Sequence, residues 1–144
     1  MMSDNKPQGP LPYGPSITLD EARRVMEAAE AEARANGWPM VIAIVDTAGL
    51  LVMFHRMDNA QTGSVQIGPA KARTAALYKR PTRAFEDAIA GGGMALRLLS
   101  MTDVMPLEGG LPIERNGAII GGIGVSGMSS PQDAQVARAG LAAL

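Results

Sequence analysis

The chain has 144 residues, of which 47% are hydrophobic and 19% charged, and its formal net charge is −1. These values predict one globular domain, and they give no electrostatic reason to expect nucleic acid or a membrane as a partner. With no cysteine and one histidine, the sequence excludes disulfides, thiolate chemistry and a multi-histidine metal site within one subunit, so no metal site is predicted. Residues 1–15 are rich in proline and lack an apolar run, so we expect a flexible N-terminal arm, no signal peptide and a cytoplasmic protein.

The first predicted elements are a helix over residues 19–36 and a hairpin that follows it. Thr18 and Glu21 have the spacing of a capping box, which favours the start of a helix. The apolar run after this helix predicts a buried strand near 40–46. A second strand from Leu50 would complete the hairpin.

The middle of the chain is predicted to be helical. A segment that begins near Ser64 has strong helix propensity. Gly68-Pro69 lies in this segment and predicts a break or kink, because proline lacks the N–H donor and clashes with the preceding turn. Thr82 is expected to cap the next helix, which stops at Gly91, and a short helix is expected after it.

A second hairpin and a final helix complete the predicted fold. Asn116-Gly117 is the strongest short hairpin motif in the chain, and Ser130-Pro131 favours the start of a helix that runs to about Ala143. The order is therefore α-β-β-α-α-β-β-α. Two hairpins separated by helices predict an α+β fold with an antiparallel sheet, rather than a parallel doubly wound sheet.

Gly122, Gly124 and Gly127 have the G-x-G-x-x-G spacing of a dinucleotide-binding fingerprint. In that motif the glycines occupy the turn between a strand and a helix, and an acidic residue follows about 20 positions later. Here two of the glycines fall inside a predicted hairpin strand, and no acidic residue follows Asp133. We therefore predict no dinucleotide cofactor. Two explanations for the glycines stay open: a helix or subunit packs closely over them, or they leave floor space for a flat ligand.

Several motifs in the same order resemble the HbpS/GlcG-like haem-binding family, which also supplies the C-terminal domain of some cobalamin adenosyltransferase proteins. They include "VIAIVDTAGLLVMFHRMD", "AKARTAAL", "PLEGGLPI" and "GAIIGGIGVSG". The resemblance covers about residues 16–144, so it implies a single domain of that family. It also implies about five antiparallel strands, homo-oligomers from dimer to octamer, and haem as a cofactor of some members.

Five residues are candidates for contact with such a cofactor: His55, Gly109, Gly110, Ser129 and Ser130. His55 is the one strong neutral ligand for haem iron in the chain, but a lone histidine carries little motif information, which favours a partly buried or surface histidine without a ligand role. Ser129 and Ser130 are first of all expected to cap the final helix. The free amides at that helix start could also hold a carboxylate, such as a haem propionate.

A second group of candidates suggests acid–base chemistry. Lys71 is interpreted either as a lysine at the edge of the core or as a cation over a pocket, paired with a ligand carboxylate or with Glu108. Glu108 could be a loop carboxylate that caps backbone amides, or a general acid or base. Gly109 and Gly110 permit unusual backbone angles that could turn this acid inward, beside the glycine-rich strand.

These observations lead to three functional hypotheses. The leading one is a small-molecule-binding protein, with haem or another tetrapyrrole as the most specific candidate. The second is a cofactor-independent lyase, isomerase or hydrolase that uses Glu108 and Lys71 on a small metabolite. The third is an oligomeric accessory protein without chemistry.

Overall fold

The computed structural model of the chain describes residues 9–144. Its elements in chain order are α1 (Leu19–Asn36), β1 (Val41–Val45), β2 (Leu51–Arg56), α2 (Ser64–Tyr78), α3 (Arg83–Ala90), a 3₁₀ helix (Gly93–Ser100), β3 (Gly110–Arg115), β4 (Ala118–Ser126) and α4 (Ser130–Leu141). This order confirms the predicted α+β class. Within the described range, no helix is both long enough and apolar enough to cross a membrane.

The sheet has four antiparallel strands in the order β2-β1-β4-β3, which corrects the expectation of about five. Tyr13 does not form a fifth strand: it makes a single parallel bridge with Ile119 of β4, beyond the part of β4 that pairs with β1. The Gly14 N–H donates to the Ile119 carbonyl at 2.9 Å, and the Ile119 N–H donates to the Pro12 carbonyl at 2.9 Å. Of the arm expected to be flexible, residues 1–8 lie outside the described part, and residues 12–14 make these contacts with β4.

Helices cover both faces of the sheet. Ile42 and Ile44 of β1 belong to the main core, which β1 and β4 form with α1 and α4. Ala43 and Val45 point to the opposite face and pack against alanines of α2. Because alternate residues of a strand face opposite sides, the continuous apolar run of β1 is buried on both faces.

The backbone of α2 lies directly on the glycines of β4. A Cβ atom added to Gly124 would lie 2.0 Å from the Gly68 carbonyl oxygen, and one added to Gly122 would lie 2.4 Å from the Ala72 carbonyl oxygen. This contact confirms the interpretation that a helix packs closely over the glycines. The interpretation as floor space for a flat ligand is wrong on this face, because α2 occupies it.

α2 continues through Pro69, so the expected break is wrong, while a kink there stays a prediction. Pro69 lies in the second turn, where it removes the one hydrogen bond that its nitrogen would make to the carbonyl of Val65. Packing of α2 against the sheet compensates for this loss. Gly68 allows the close approach, because an added Cβ would lie 2.8 Å from a methyl carbon of Val41.

Of two helix caps predicted from the sequence, the structure confirms that of α1 and not that of α3. Thr18 and Glu21 form both bonds of the predicted capping box, and α1 begins as expected. Thr82 does not cap α3 through its side chain. Its hydroxyl instead accepts a hydrogen bond from the Gly110 N–H at 2.9 Å and so joins the start of α3 to β3.

Candidate functional site

A groove of about 660 Å³ lies at the free edge of the sheet, beside β2. It is lined by Glu30 and Arg34 of α1, by the turn 37–39 that follows this helix, and by residues 54–59. β2 is an edge strand, so its outer side is not covered by another strand. The groove is therefore formed by the C-terminal part of α1, the turn that follows it, and the C-terminal end of β2.

His55 lies in this groove and is held by a carboxylate. Its partner across the sheet is Ile42, so its side chain projects on the same face as α1. The His55 Nδ1 lies 3.0 Å from Glu30 Oε1, and the side chain is 48% exposed. When Nδ1 carries the proton it donates to Glu30, and Nε2 then keeps a lone pair for a ligand.

Glu30 is shared between His55 and Arg34. Its second oxygen, Oε2, lies 3.4 Å from Arg34 Nη2. The two contacts fix the direction of the carboxylate and, through it, the orientation of the imidazole ring. The sequence did not identify Glu30, because 25 residues separate it from His55 and only the packing of α1 against β2 brings them together.

The other lining residues provide both apolar and charged surface. Trp38 contributes an aromatic ring and Met57 a thioether, while Arg56 and Asp58 carry opposite charges. Phe54 also borders the groove, but it packs against the alanines on the other face of the sheet. Flat aromatic rings and a polarisable sulfur are suitable contacts for a planar apolar ligand. The groove can therefore accept a molecule that is flat, largely apolar and charged at its edge.

Lys71 is buried away from this groove, with 1% of its surface exposed. Its Nζ donates to Asp133 Oδ2 at 2.9 Å and to the Val125 carbonyl at 2.9 Å. The expectation of a lysine at the edge of the core is therefore wrong, and its partner in the structure is Asp133 rather than Glu108.

Asp133 completes this buried pair and was not singled out in the sequence. Its other oxygen accepts a hydrogen bond from the Met128 N–H at 3.0 Å. Burial raises the pKa of the Asp133 carboxyl above its ordinary value, and the Lys71 ammonium opposes that shift. The position of Asp133 in the first turn of α4 was the available indication, since acids are favoured near helix N-termini.

Glu108 lies in the loop before β3, and its carboxylate is 3.9 Å from Arg83 Nη1. The side chain is only 12% exposed, and its backbone N–H donates to Glu86 Oε1 at 3.2 Å. The residue that meets Lys71 is Gly109, where an added Cβ would lie 2.8 Å from Lys71 Nζ. Gly109 also has a φ of +132°, a conformation that favours glycine. Of the two glycines that follow Glu108, only Gly109 has such an angle, and the loop brings its backbone, rather than the Glu108 carboxylate, against Lys71.

Ser129 and Ser130 begin α4. The Ser129 hydroxyl accepts from the Gln132 N–H at 3.4 Å, and the Gln132 side chain accepts from the Ser129 N–H at 3.2 Å. This is a capping box, which uses two of the groups that could have held a ligand carboxylate. The predicted site residues therefore occupy separate places: His55 in the groove, Lys71 in the core, and the serines at a helix start.

Comparison with known proteins connects this fold to one family. The family model described as "Haem degrading protein HbpS-like" matches residues 17–142. Protein GlcG of Escherichia coli strain K12 is 40% identical over 110 residues, which cover 76% of this chain and 81% of GlcG. Both findings agree with the resemblance seen in the motifs.

Solved structures agree with this fold over nearly the whole chain. The structure of a PduOC:heme complex superposes with a TM-score of 0.83 at 30% identity, covering 90% of this chain and 95% of that one. A double mutant of Streptomyces reticuli HbpS superposes with a TM-score of 0.84 at 32% identity, covering 100% of this chain and 98% of that one. The chain belongs to the HbpS-like family.

Proposed function

We propose that the protein binds haem, or a closely related iron tetrapyrrole, in the groove beside β2, with His55 as the iron ligand. The observation that carries this proposal is the contact between His55 Nδ1 and Glu30 at 3.0 Å. Histidines that bind metals commonly donate their second N–H to a carboxylate, which fixes the tautomer and makes the free nitrogen more basic. His55 has this arrangement, in a groove and with half of its side chain exposed.

The donor set of the groove fits haem. An imidazole is a common proximal ligand of haem iron, and a thioether is another axial ligand found in proteins. Trp38 would cover part of the macrocycle, and the groove volume of about 660 Å³ is within the usual range for small-molecule sites. Bound haem would supply an iron centre whose redox potential depends on its axial ligand and on nearby hydrogen bonds. The residues of this chain would hold and orient it.

The relatives support the same class of ligand. A solved relative, PduOC, is described as a complex with heme, and the family description names haem. Fold alone does not determine function, and the contact between His55 and Glu30 supports haem binding independently of likeness.

The cofactor-independent enzyme has less support. The Lys71 ammonium already donates to Asp133 and to a backbone carbonyl, and the Glu108 carboxylate lies near Arg83 instead. Acid–base chemistry by Glu108 and Lys71 stays a prediction.

Titration of haemin with the wild-type protein, His55→Ala and Glu30→Gln tests the proposal. We expect His55→Ala to shift or abolish the Soret band of bound haem, because the iron loses its protein nitrogen. Glu30→Gln should weaken haem binding by about 10-fold or more, since loss of such supporting carboxylates typically costs that much. Arg24→Ala, an exposed change on α1 outside the groove, is the control. An unchanged Soret band in His55→Ala would contradict the assignment of His55.

A further inference from the structure

We propose that Arg56 recognises a carboxylate of the ligand, so that the groove selects tetrapyrroles with free acid side chains over their neutral esters. This inference rests on the proposed function and adds a specificity-determining residue to it. Arg56 is the last residue of β2 and lines the same groove as His55. Because neighbouring residues of a strand point to opposite faces, Arg56 and His55 reach the groove from the two sides of the sheet edge.

The guanidinium of Arg56 has no acidic partner in the described part of the chain. In the described residues, the arginines that lie within 4.0 Å of a carboxylate oxygen include Arg34, Arg83 and Arg115, but not Arg56. Arg56 is exposed at the rim of a groove that Trp38 also lines. A guanidinium can bind a carboxylate through two parallel hydrogen bonds, which are among the stronger contacts available to a partly buried ligand.

Arg34 lies across the groove but is already engaged. Its Nη2 is 3.4 Å from Glu30 Oε2, and its side chain is 67% exposed. A second carboxylate of the ligand could reach Arg34. Displacement of Arg34 would also disturb Glu30, which it contacts, and through Glu30 the orientation of His55. Arg56 is therefore the residue whose removal should change carboxylate recognition without changing iron ligation.

Asp58 carries the charge opposite to that of Arg56 and should therefore weaken the binding of an acidic ligand. It lines the groove two residues after Arg56 and, like Arg56, is exposed. Glu30 is the other acid of the lining, and both of its oxygens are near cationic or imidazole nitrogen. An acidic ligand would meet repulsion from Asp58, so Asp58→Asn should strengthen its binding.

Metal-free protoporphyrin IX and its dimethyl ester separate carboxylate recognition from iron ligation. Trp38 is the one tryptophan of the chain and lines the groove, so quenching of its fluorescence reports occupancy by either compound. We expect the free acid to bind wild-type protein about tenfold more tightly than the ester, as one charge-assisted contact would give. Arg56→Gln should remove this preference and leave binding of the ester unchanged, and Asp58→Asn should increase the preference.

Arg24→Gln is the matched control, because it removes an exposed arginine that does not line the groove. Equal binding of acid and ester to the wild-type protein, or the same result for Arg56→Gln and Arg24→Gln, would overturn the role of Arg56 while leaving haem binding intact. Failure of the acid, the ester and haemin to quench Trp38 would overturn the proposed function together with this inference. A preference for the acid that vanishes only in Arg56→Gln would support both.

Discussion

At the scale of single residues, the buried pair of Lys71 and Asp133 joins three elements. Lys71 comes from the middle of α2, Asp133 from the start of α4, and the carbonyl that also accepts from Lys71 belongs to β4. Both side chains are almost fully buried, at 2% and 4% exposure. Each charge therefore depends on the other, because removal of one leaves its partner uncompensated in the core.

Lys71→Met should lower the free energy of unfolding by about 3–5 kcal/mol, as expected when one member of a buried ion pair is lost. The double variant Lys71→Met/Asp133→Leu removes both charges and should recover part of that loss. Urea denaturation of the three proteins measures both effects. A double variant no more stable than Lys71→Met would mean that the pair stabilises the fold by more than mutual charge compensation.

Glu21 links the acid stability of the protein to the capping box of α1. The hydrogen bond from Arg115 is the largest cause that lowers the pKa of the Glu21 carboxyl, from an ordinary 4.5 to about 2. A group whose pKa is lower in the folded state stabilises it above the unfolded pKa and loses that effect as the pH falls. Glu21 should therefore contribute stability at pH 5 and lose it progressively between about pH 4.5 and 2.

Glu21→Gln keeps a capping amide oxygen but loses the charge that pairs with Arg115. We expect its melting temperature to fall below that of the wild type at pH 6, with the difference shrinking towards pH 2. Asp20→Asn, which removes only an exposed pair with Arg23, should change the melting temperature little at any pH. A difference between Glu21→Gln and wild type that stays constant from pH 6 to 2 would contradict this account.

At the scale of elements, the contact between α2 and β4 determines how closely the helix approaches the sheet. It requires glycine in the strand, because the nearest α2 atoms are backbone atoms that cannot move aside independently. The same close contact explains how a helix that contains Pro69 stays in place.

Gly124→Ala should destabilise the protein by about 3 kcal/mol or more, since its Cβ would lie 2.0 Å from the Gly68 carbonyl oxygen. Gly63→Ala is the control, because nothing lies within 4 Å of an added Cβ and its φ is −60°. That change should be neutral or stabilise by about 0.5 kcal/mol, through the lower entropy of the unfolded chain. Comparable thermal unfolding of the two variants would refute the close-packing argument.

The elements that the sequence predicted well are those that local chemistry determines. Thr18 and Glu21 lie three positions apart, and Asn116 and Gly117 adopt positive φ angles of 51° and 75° in a tight hairpin. Contacts between distant residues were missed. Thr82 favours a helix start by local rules, yet its hydroxyl bonds Gly110, 28 positions away.

The candidate site shows the same limit. His55 could be identified because it is the one histidine in the sequence. Glu30 and Arg56 could be identified as groove residues only from the packing of α1 beside β2. Lys71 was a candidate from the sequence, but its partner Asp133, 62 positions away, could not be named from spacing. Local patterns identified candidate side chains, and tertiary packing decided which of them meet.

At the scale of the whole molecule, the 3₁₀ helix exposes several large apolar side chains. Met94, Leu96 and Leu99 are 77%, 49% and 64% exposed. Grouped apolar exposure of this kind is typical of a surface that contacts another protein. The surface is consistent with the expected homo-oligomer.

We therefore expect light scattering to give a mass that is a multiple of 15.0 kDa. The double change Met94→Lys/Leu99→Lys should reduce that mass, because charged side chains disfavour an apolar interface. Leu50→Lys, at a leucine that is 61% exposed elsewhere, should leave it unchanged. A mass of 15.0 kDa for the wild type at all working concentrations would show a monomer.

Haem binding in the groove is the central claim, and the most direct measurement is a haemin titration that follows the Soret band and Trp38 fluorescence together. We predict a saturable shift of the Soret band from its position in buffer, with quenching of Trp38 that saturates at the same haemin concentration. The two changes should coincide because Trp38 and His55 line one groove. A Soret band that stays as in buffer, or a Soret shift without any quenching of Trp38, would contradict the claim that this groove is the haem site.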